Sequence, residues 1–318
     1  MNTSTQQPAR LKGVFSPVLT PFNADRSPSP ERMVRHCRWL IDCGVGLAVF
    51  GTNSEANSLS LTEKHRLLDA IVAAGIPPGR LMPGTGACAL PDAVELTRHA
   101  VDAGCGGVLM LPPFYYKGVT DEGLYRAYAS VIDGVADARL RIYLYHIPPV
   151  AQVGISLGLI ERLLKAYPGT IAGIKDSSGD WANTEAMLKA FQPQGFDVFS
   201  GSESFLLATL RGGGAGCITA TANVNPAPIV ALAEHWRDAD ADARQRALNA
   251  TRGIFQRRPM IAAMKAAIAW QSGDEGWATV RPPLVELDAP QRDALVAELE
   301  ADAFTIEAAA SLGVNAGA

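Results

Sequence analysis

The sequence lacks the features that define several protein classes. No apolar stretch approaches the length of about 18 residues that a membrane-spanning helix needs, and residues 1–12 are polar, without the apolar core of a signal peptide. The net charge is only −4 and the basic residues are scattered, so no surface for nucleic acid or an anionic membrane is expected. A soluble cytoplasmic protein is therefore predicted.

Cysteine and histidine are sparse. The 5 cysteines are odd in number and form no CxxC pair, which argues against a disulfide framework or a zinc site and favours buried thiols in a reducing compartment. Most histidines lie in helical patterns, and only His146 lies at the end of a predicted strand. Converging metal ligands are not expected, and neither a metal nor an organic cofactor is predicted.

What the sequence does contain is a regular alternation of apolar runs and helical patterns. Apolar residues make up 48% of the 318 positions and charged residues 19%, which is typical of a globular α/β protein. Short apolar runs recur at the spacing of βα units, about 20 to 35 residues. The predicted strands are Val14–Leu19, Leu47–Phe50, Leu81–Pro83, Gly107–Leu111, Ile142–His146, Ile171–Lys175, Asp197–Ser200 and Cys217–Thr219. The predicted helices between them include Glu31–Cys43, Glu63–Ala74 with Thr62 as its cap, Asp92–Ala103, and Leu157–Tyr167 with Ser156 as its cap.

Eight such units predict a (β/α)8 TIM barrel over residues 13–240, since continuous apolar strands are typical of a parallel sheet buried on both faces. The alternative is an open doubly wound sheet, which usually has a glycine fingerprint after its first strand; none is present there. Residues 1–12 are expected to be disordered or extended. Residues 241–318 are predicted to form a C-terminal helical extension, with helices over Arg244–Trp270 and Gln291–Leu312.

Two of the predicted strands end in residues suited to carbonyl chemistry. Lys175 ends the run from Ile171, and Tyr145 lies near the end of Ile142–His146. Strand carboxyl ends form the catalytic face of a barrel. Burial disfavours the charged form of a lysine, and a neutral amine attacks carbonyl carbon, while a nearby phenol can move protons. The alternatives are a solvent-exposed loop lysine and a tyrosine that only fills the barrel.

Two turns that follow predicted strands offer polar groups. Gly51–Glu55 contains small and hydroxylic residues whose backbone N–H groups can bind a carboxylate, and the hydroxyl of Thr52 could extend a proton relay to Tyr145. At Ser200–Glu203 a ligand could approach the backbone of Gly201. The alternatives are an ordinary polar turn and a capped helix start.

Six motifs occur in the order and spacing of one known family. They are Thr20–Phe22, Gly51–Glu55, Pro113–Tyr116, Tyr145–Pro148, Gly173–Lys175 and Gly201–Glu203. Together they resemble the dihydrodipicolinate synthase / N-acetylneuraminate lyase family of Schiff-base barrels, over about residues 13–236. The resemblance implies a class I aldolase reaction and a homotetramer.

The resemblance also implies roles for individual residues. Lys175 would form an imine with the ketone of pyruvate or another 2-oxo acid, and Tyr145 would be the general acid and base. Thr52 and Asn53 would hold the substrate carboxylate through a hydroxyl and backbone N–H groups, with Thr52 also in the proton relay.

Further contacts are implied at the rim of the site. Tyr116, with Tyr115 as the less favoured candidate, would lie at a subunit contact and complete the relay of a neighbouring subunit. Gly201 would line the substrate channel with its carbonyl, and Glu203 of the same motif would bind substrate. Ser177 resembles a serine that contacts substrate in the 4-hydroxy-2-oxoglutarate aldolase branch.

Three residues depart from the family pattern. Ser54 replaces the usual glycine, which would alter the turn if its φ were positive, and His146 replaces the asparagine after the tyrosine. Val150 stands where the dihydrodipicolinate synthase branch has an arginine for the carboxylate of aspartate semialdehyde, and valine offers neither charge nor bidentate donors. A lysine-pathway enzyme is therefore not expected, and the wall Pro149–Ala151 suits an uncharged or apolar aldehyde.

The predicted function is cleavage or condensation of a pyruvate-derived 2-oxo acid with an aldehyde through a lysine Schiff base. The expected partner is a small-molecule substrate, with no nucleic acid and no membrane. Alternatives with the same imine are a dehydratase of a sugar-derived 2-keto-3-deoxy acid and 4-hydroxy-tetrahydrodipicolinate synthase, which Val150 disfavours. Other classes are a binding protein on an inactive barrel, against which the intact lysine and tyrosine argue, and a phosphate-binding isomerase, for which no glycine cluster follows the last predicted strand.

Overall fold

A parallel β-sheet forms the centre of the computed structural model, which describes residues 10–314. Within that range the sheet has seven strands, in the order β2-β1-β7-β6-β5-β4-β3. The strands are β1 (Gly13–Ser16), β2 (Gly46–Leu47), β3 (Val108–Met110), β4 (Ile142–His146), β5 (Ile171–Asp176), β6 (Asp197–Ser200) and β7 (Gly216–Ile218). Each overlaps a predicted apolar run, β2 by Leu47 alone, and β4 and β6 have the predicted bounds.

The predicted strand Leu81–Pro83 is present only as isolated pairings. Its first residue pairs with Leu47 at one edge of the sheet, and Gly84, just beyond it, pairs with Leu109 at the other edge. The N–H of Met82 donates to the carbonyl of Leu47 (2.8 Å), and the N–H of Leu109 donates to the carbonyl of Pro83 (2.8 Å). That proline has no N–H, which weakens regular pairing. The expected eight-stranded barrel is therefore confirmed only as an α/β fold with a curled, seven-stranded parallel sheet.

Helices connect the strands, and apolar side chains pack between the two layers. In residues 10–314 they are α1 (Pro30–Asp42), α2 (Leu61–Ala73), α3 (Leu90–Asp102), α4 (Asp121–Val135), α5 (Pro148–Ala151), α6 (Leu157–Ala166), α7 (Trp181–Phe191), α8 (Leu206–Arg211), α9 (Pro226–Glu234), α10 (Ala241–Gln256), α11 (Met260–Ser272) and α12 (Ala289–Ala301). Short 3₁₀ turns follow several strand ends.

Hydroxyl side chains begin several of these helices. Ser156 caps α6 as predicted, because its Oγ accepts the N–H of Leu159 (3.0 Å). The cap of α2 is Ser60, so the predicted cap Thr62 is wrong. The Oγ of Ser60 accepts the N–H of Glu63 (3.2 Å), and the Glu63 carboxylate accepts the N–H of Ser60 (2.8 Å). This reciprocal capping box makes α2 begin at Leu61, two residues earlier than the pattern predicts.

The last three helices pack against the rest of the chain. The single helix predicted over Arg244–Trp270 is divided into α10 and α11 at Pro259, since a proline cannot continue the first helix. α12 covers only the first part of the predicted Gln291–Leu312. Arg32 of α1 binds Asp274, which follows α11, with its Nε 2.7 Å from Oδ2. These contacts join the extension to the sheet-bearing part.

The inner face of the sheet carries an aromatic cluster. The ring of Phe199 lies edge-on to the rings of Phe15 and Tyr143, at 5.8 Å in both pairs. In the register of β4, β5 and β6, Tyr145, Lys175 and Phe199 are neighbours. Neighbours in a parallel register point to the same face. The lysine and tyrosine singled out in the sequence therefore share the interior of the curled sheet.

Candidate active site

Lys175 lies at the carboxyl end of β5, and its side chain is buried, with 2% of its surface exposed. Its Nζ donates a hydrogen bond to Oη of Tyr145 (3.3 Å) and lies 4.3 Å from the centre of that ring. The solvent-exposed loop lysine, which was the alternative interpretation, does not occur. The amine is enclosed next to a phenol instead.

Lys265 of α11 provides a comparison for this amine. It is also fully buried, but its Nζ lies 2.5 Å from Oε1 of Glu55. Burial lowers the pKa of Lys265 to about 8, and Glu55 opposes that shift. Among the residues the structure describes, Lys175 has no carboxylate oxygen within 4 Å of Nζ. A buried amine without an anionic partner is suited to nucleophilic attack on a carbonyl group.

Tyr145 connects the lysine to the turn after β2. Its Oη lies 3.3 Å from Nζ of Lys175 and 3.2 Å from Oγ1 of Thr52, and the tyrosine is 2% exposed. The structure therefore brings three of the predicted catalytic residues into one hydrogen-bonded chain. A phenol between an amine and a hydroxyl can pass protons in either direction.

The turn after β2 presents backbone donors beside this chain. A 3₁₀ turn covers Thr52–Ser54, and the first N–H groups of such a turn have no acceptor within it. Ser54 fits without strain: its Oγ accepts the N–H of Gly51 (3.1 Å), and positive φ angles occur at Phe50 (62°) and Glu55 (55°) instead. The serine that replaces the family's glycine therefore leaves the turn intact. Thr52 and Asn53 are both half-buried.

Two further predicted residues meet at the ends of β5 and β6. The N–H of Gly201 donates to the carbonyl of Asp176 (2.7 Å). A Cβ added at Gly201 would lie 2.0 Å from Oγ of Ser177, so only glycine allows this approach. Ser177 is itself held by its N–H, which donates to the carbonyl of His146 (2.7 Å). The hydroxyl of Ser177 and the backbone of Gly201 thus lie side by side.

Glu203 lies in a buried network rather than beside Lys175 and Tyr145. Its carboxylate accepts hydrogen bonds from the hydroxyls of Thr219 and Thr221 and pairs with Arg252 of α10 (2.6 Å). The residue is 1% exposed. The Glu203 side chain therefore links the end of β6 to α10. Its contact with substrate stays a prediction.

Tyr115 and Tyr116 are the most exposed of the predicted site residues. Each is 74% exposed, and their rings contact each other edge to face at 5.2 Å. In the described part of the chain, neither hydroxyl bonds to Lys175, Tyr145 or Thr52. The adjacent Lys117 donates to the carbonyl of Ala151 (2.8 Å), which fixes this loop beside α5.

His146 points away from Lys175, toward the segment that follows α5. Its Nδ1 accepts the N–H of Ile155 (2.9 Å), so a neutral ring carries its proton on Nε2. Burial lowers the pKa of His146, and Asp176 beside it opposes that shift. Asp176 in turn accepts from Oγ1 of Thr184 (2.6 Å) and Nδ2 of Asn183 (3.1 Å). These contacts hold the strand ends that carry Tyr145 and Lys175.

Sequence reasoning missed the buried charged pairs around the site. In the sequence Glu55 is only the end of a motif, and Lys265 and Arg252 are only parts of helical patterns. A charged residue at a core-facing position of an apolar helix such as α11 was the available signal. Its partner, however, could not be identified from local spacing.

Free thiols are present in the described part of the chain, but no cluster suited to a metal ion is found there. All five cysteines are free thiols, and burial raises the pKa of Cys37, Cys105 and Cys217. Across residues 10–314, no three His, Cys, Asp or Glu side chains are grouped so that they could hold a metal ion. In the same range, no helix combines the length and apolar character needed to cross a bilayer.

Comparison with known proteins identifies the family of this chain. A family model described as the dihydrodipicolinate synthetase family matches residues 10–302. A protein from Chloroflexus aurantiacus described as an uncharacterized DapA-like lyase is 35% identical over 298 residues, which are 92% of this chain and 97% of that protein. The alignment thus covers nearly the full length of both.

Solved structures give the same result. The crystal structure of dihydrodipicolinate synthase from Agrobacterium tumefaciens is 30% identical, with a TM-score of 0.83, and covers 91% of this chain and 98% of that chain. YagE from E. coli K12, a prophage protein of the same family solved in complex with pyruvate, is 27% identical, with a TM-score of 0.84, and covers 93% and 100%. This chain is therefore an enzyme of the lyase type and belongs to the dihydrodipicolinate synthetase family.

Proposed function

We propose that this chain is a Schiff-base lyase of the class I aldolase type, which cleaves a pyruvate-derived 2-oxo acid into pyruvate and an aldehyde, or condenses the two. The observation that supports the proposal is the chain of Lys175, Tyr145 and Thr52, with separations of 3.3 Å and 3.2 Å inside the curled sheet. A binding protein would not need a buried amine and a phenol in contact.

In the proposed reaction the amine of Lys175 attacks the C2 carbonyl of the substrate. Tyr145 donates a proton to the departing hydroxyl, water leaves, and an iminium forms. Tyr145 then removes the proton from the C4 hydroxyl, and the C3–C4 electron pair moves into the iminium, which releases an aldehyde. Protonation of the resulting enamine at C3 and hydrolysis of the imine release pyruvate and restore Lys175.

The substrate carboxylate is proposed to lie at the turn after β2. The backbone N–H groups of Thr52 and Asn53 and the hydroxyl of Thr52 would bind it. Ser177 and the carbonyl of Gly201 would contact the distal part of the substrate. The pairing of residues 81–84 with both edge strands supports a closed (β/α)8 barrel around this pocket.

A second copy of the chain is proposed to complete the site. Tyr116 and its neighbour Tyr115 expose large apolar rings, which suits a contact between subunits. Tyr116 of one subunit would extend the relay of its partner, in a homotetramer. Sedimentation at micromolar concentration tests the assembly. A catalytically active monomer would contradict it.

A dehydratase of a 2-keto-3-deoxy acid remains the second candidate, because it uses the same imine. Analysis of products separates the two: pyruvate with an aldehyde, or an uncleaved dehydrated acid. Synthesis of 4-hydroxy-tetrahydrodipicolinate is disfavoured by Val150, which is 62% exposed on α5 and cannot bind a carboxylate. Efficient condensation of pyruvate with aspartate semialdehyde would overturn this exclusion.

The imine itself is tested by reduction with borohydride in the presence of pyruvate, followed by peptide mass mapping. We expect one adduct, on Lys175, and none in Lys175→Ala. The matched control is Lys189→Ala, because this lysine of α7 is exposed and lies outside the site. An adduct on Lys265 or on surface lysines, with Lys175 unmodified, would refute the proposed function.

A further inference from the structure

A fully buried ion pair links the C-terminal part of the chain to the turn after β2. Lys265 and Glu55 have side chains that are 0% exposed, with Nζ 2.5 Å from Oε1. They lie 210 positions apart in the sequence. Because moving two charges out of water is costly, an apolar pair of similar volume is often equally stable or more stable. Stability alone therefore does not explain this pair.

Both side chains of the pair have additional partners. Oε2 of Glu55 accepts the backbone N–H of Arg281 (2.8 Å), and Nζ of Lys265 also donates to the carbonyl of Thr279 (2.9 Å). The ring of Phe22 lies 4.4 Å from Nζ of Lys265 and 5.0 Å from the guanidinium of Arg281. A buried carboxylate with all these contacts is held in one orientation.

The backbone of Glu55 belongs to the turn itself. Its φ of 55° is left-handed, a conformation that a residue other than glycine keeps only when its surroundings hold it there. Its N–H donates to the carbonyl of Thr52 (3.1 Å), and its carbonyl accepts the N–H of Ser58 (2.9 Å). A shift of the Glu55 side chain would therefore move Thr52 and Asn53.

Arg281 holds the chain a few residues further on. Its guanidinium donates to the carbonyl of Ser58 (2.5 Å) and to both carboxylate oxygens of Glu63 (2.5 and 2.9 Å). Lys265 and Arg281 thus restrain the segment 55–63 at three residues, Glu55, Ser58 and Glu63. Both belong to the C-terminal part of the chain.

We infer that the Glu55–Lys265 pair is a positioning device that sets the turn Thr52–Ser54 for the carboxylate of the 2-oxo acid, an inference that rests on the proposed function. The pair does not touch the substrate. It acts through the backbone of Glu55, so its removal weakens recognition of the carboxylate and leaves the reactivity of Lys175 in place.

The test compares two carbonyl compounds that differ in the carboxylate. Pyruvate and acetone both present a ketone to Lys175, but only pyruvate needs the turn. The concentration that gives half-maximal borohydride trapping is measured for each compound in the wild type and in the double variant Glu55→Leu/Lys265→Met. The double change avoids the unpaired buried charge that either single change would leave.

We expect the double variant to need at least about tenfold more pyruvate, since a misplacement of about 1 Å can cost about 100-fold. Its trapping by acetone should stay unchanged. The matched control is Arg32→Met/Asp274→Leu. It removes a different ion pair, which joins α1 to the extension and does not include a residue of the turn. The control should leave both concentrations unchanged.

A measurement on the unaltered protein covers the case in which the double variant does not fold. The pKa of Lys265 is about 8, and the charged groups around it are Glu55, Glu286 and Arg281. Above about pH 8 the pair loses its cation, so the preference for pyruvate over acetone should fall. The ratio of the two half-maximal concentrations cancels every effect of pH on imine formation that the two compounds share.

The outcomes separate the inference from the proposed function. An unchanged requirement for pyruvate in the folded double variant, or a parallel loss with acetone, would overturn the positioning role while leaving the imine intact. A ratio of the half-maximal concentrations of pyruvate and acetone that stays constant from pH 7 to about 10 would also overturn the positioning role. Absence of any adduct on Lys175 in the wild type would overturn the proposed function, and the inference with it.

Discussion

Replacing Tyr145 by phenylalanine removes one oxygen from the centre of the proposed relay. That oxygen lies 3.3 Å from Nζ of Lys175 and 3.2 Å from Oγ1 of Thr52. A positioned acid or base contributes about 10²–10⁴ to a rate, which is about 3 to 5 kcal/mol of activation free energy. We therefore expect turnover to fall by that factor, while the ring keeps its packing.

The expected loss of stability is smaller than the loss of activity. Two hydrogen bonds of about 0.5–1.5 kcal/mol each disappear, so the free energy of unfolding should fall by about 1–3 kcal/mol. Urea unfolding measures this change, and release of pyruvate from a 2-oxo acid substrate measures turnover. Borohydride trapping with pyruvate should still modify Lys175, more slowly, because the amine remains.

The same strand supplies a matched control for this change. Tyr143 is equally buried, and its hydroxyl accepts the N–H of Leu11 (3.2 Å) and donates to Asp197 (3.4 Å), away from Lys175. Tyr143→Phe should lose similar stability and keep turnover within about threefold, because no proton of the reaction passes through it. Equal turnover in the two variants would refute the role of Tyr145.

Three further predictions concern stability. Ser156→Ala removes the cap of α6 and should lower the free energy of unfolding by about 1 kcal/mol in urea, and an unchanged midpoint would contradict it. Leu144→Ala shortens a side chain of β4 that is 0% exposed and should lower the free energy of unfolding by about 2–5 kcal/mol in the same assay. Burial lowers the pKa of His36 from 6.5 to about 4. Below about pH 6.5 the unfolded chain therefore binds a proton that the folded chain excludes, and stability should fall toward pH 4. His36→Gln should lose this part of the pH dependence, and an identical slope in both proteins would contradict the assignment.

Local patterns were sufficient to predict the strand ends that form the centre of the site. The run Ile142–His146 has the same bounds in the structure, and its register with β5 places Tyr145 beside Lys175. Both residues follow apolar runs whose length and spacing are local properties. The side-chain roles proposed for them depend on chemistry that the pattern alone does not contain.

Other features depend on contacts between distant segments and could not be predicted in that way. Leu81–Pro83 has the composition of a strand but pairs only at isolated points, because its proline lacks a donor. The cap of α2 depends on a reciprocal contact between Ser60 and Glu63. The pairing of Glu203 with Arg252 joins residues 49 positions apart, and nothing in the spacing of either indicates the other.

The distance along the chain between Glu55 and Lys265 affects the order in which the protein is completed during synthesis. All seven strands precede Lys265, since β7 ends at Ile218. A nascent chain that has just formed its sheet would lack both Lys265 and the backbone N–H of Arg281, the two partners of the Glu55 carboxylate in the C-terminal part. Removal of the residues after 240 would leave Glu55 without these partners permanently, so the extension and the turn after β2 are parts of one structural unit.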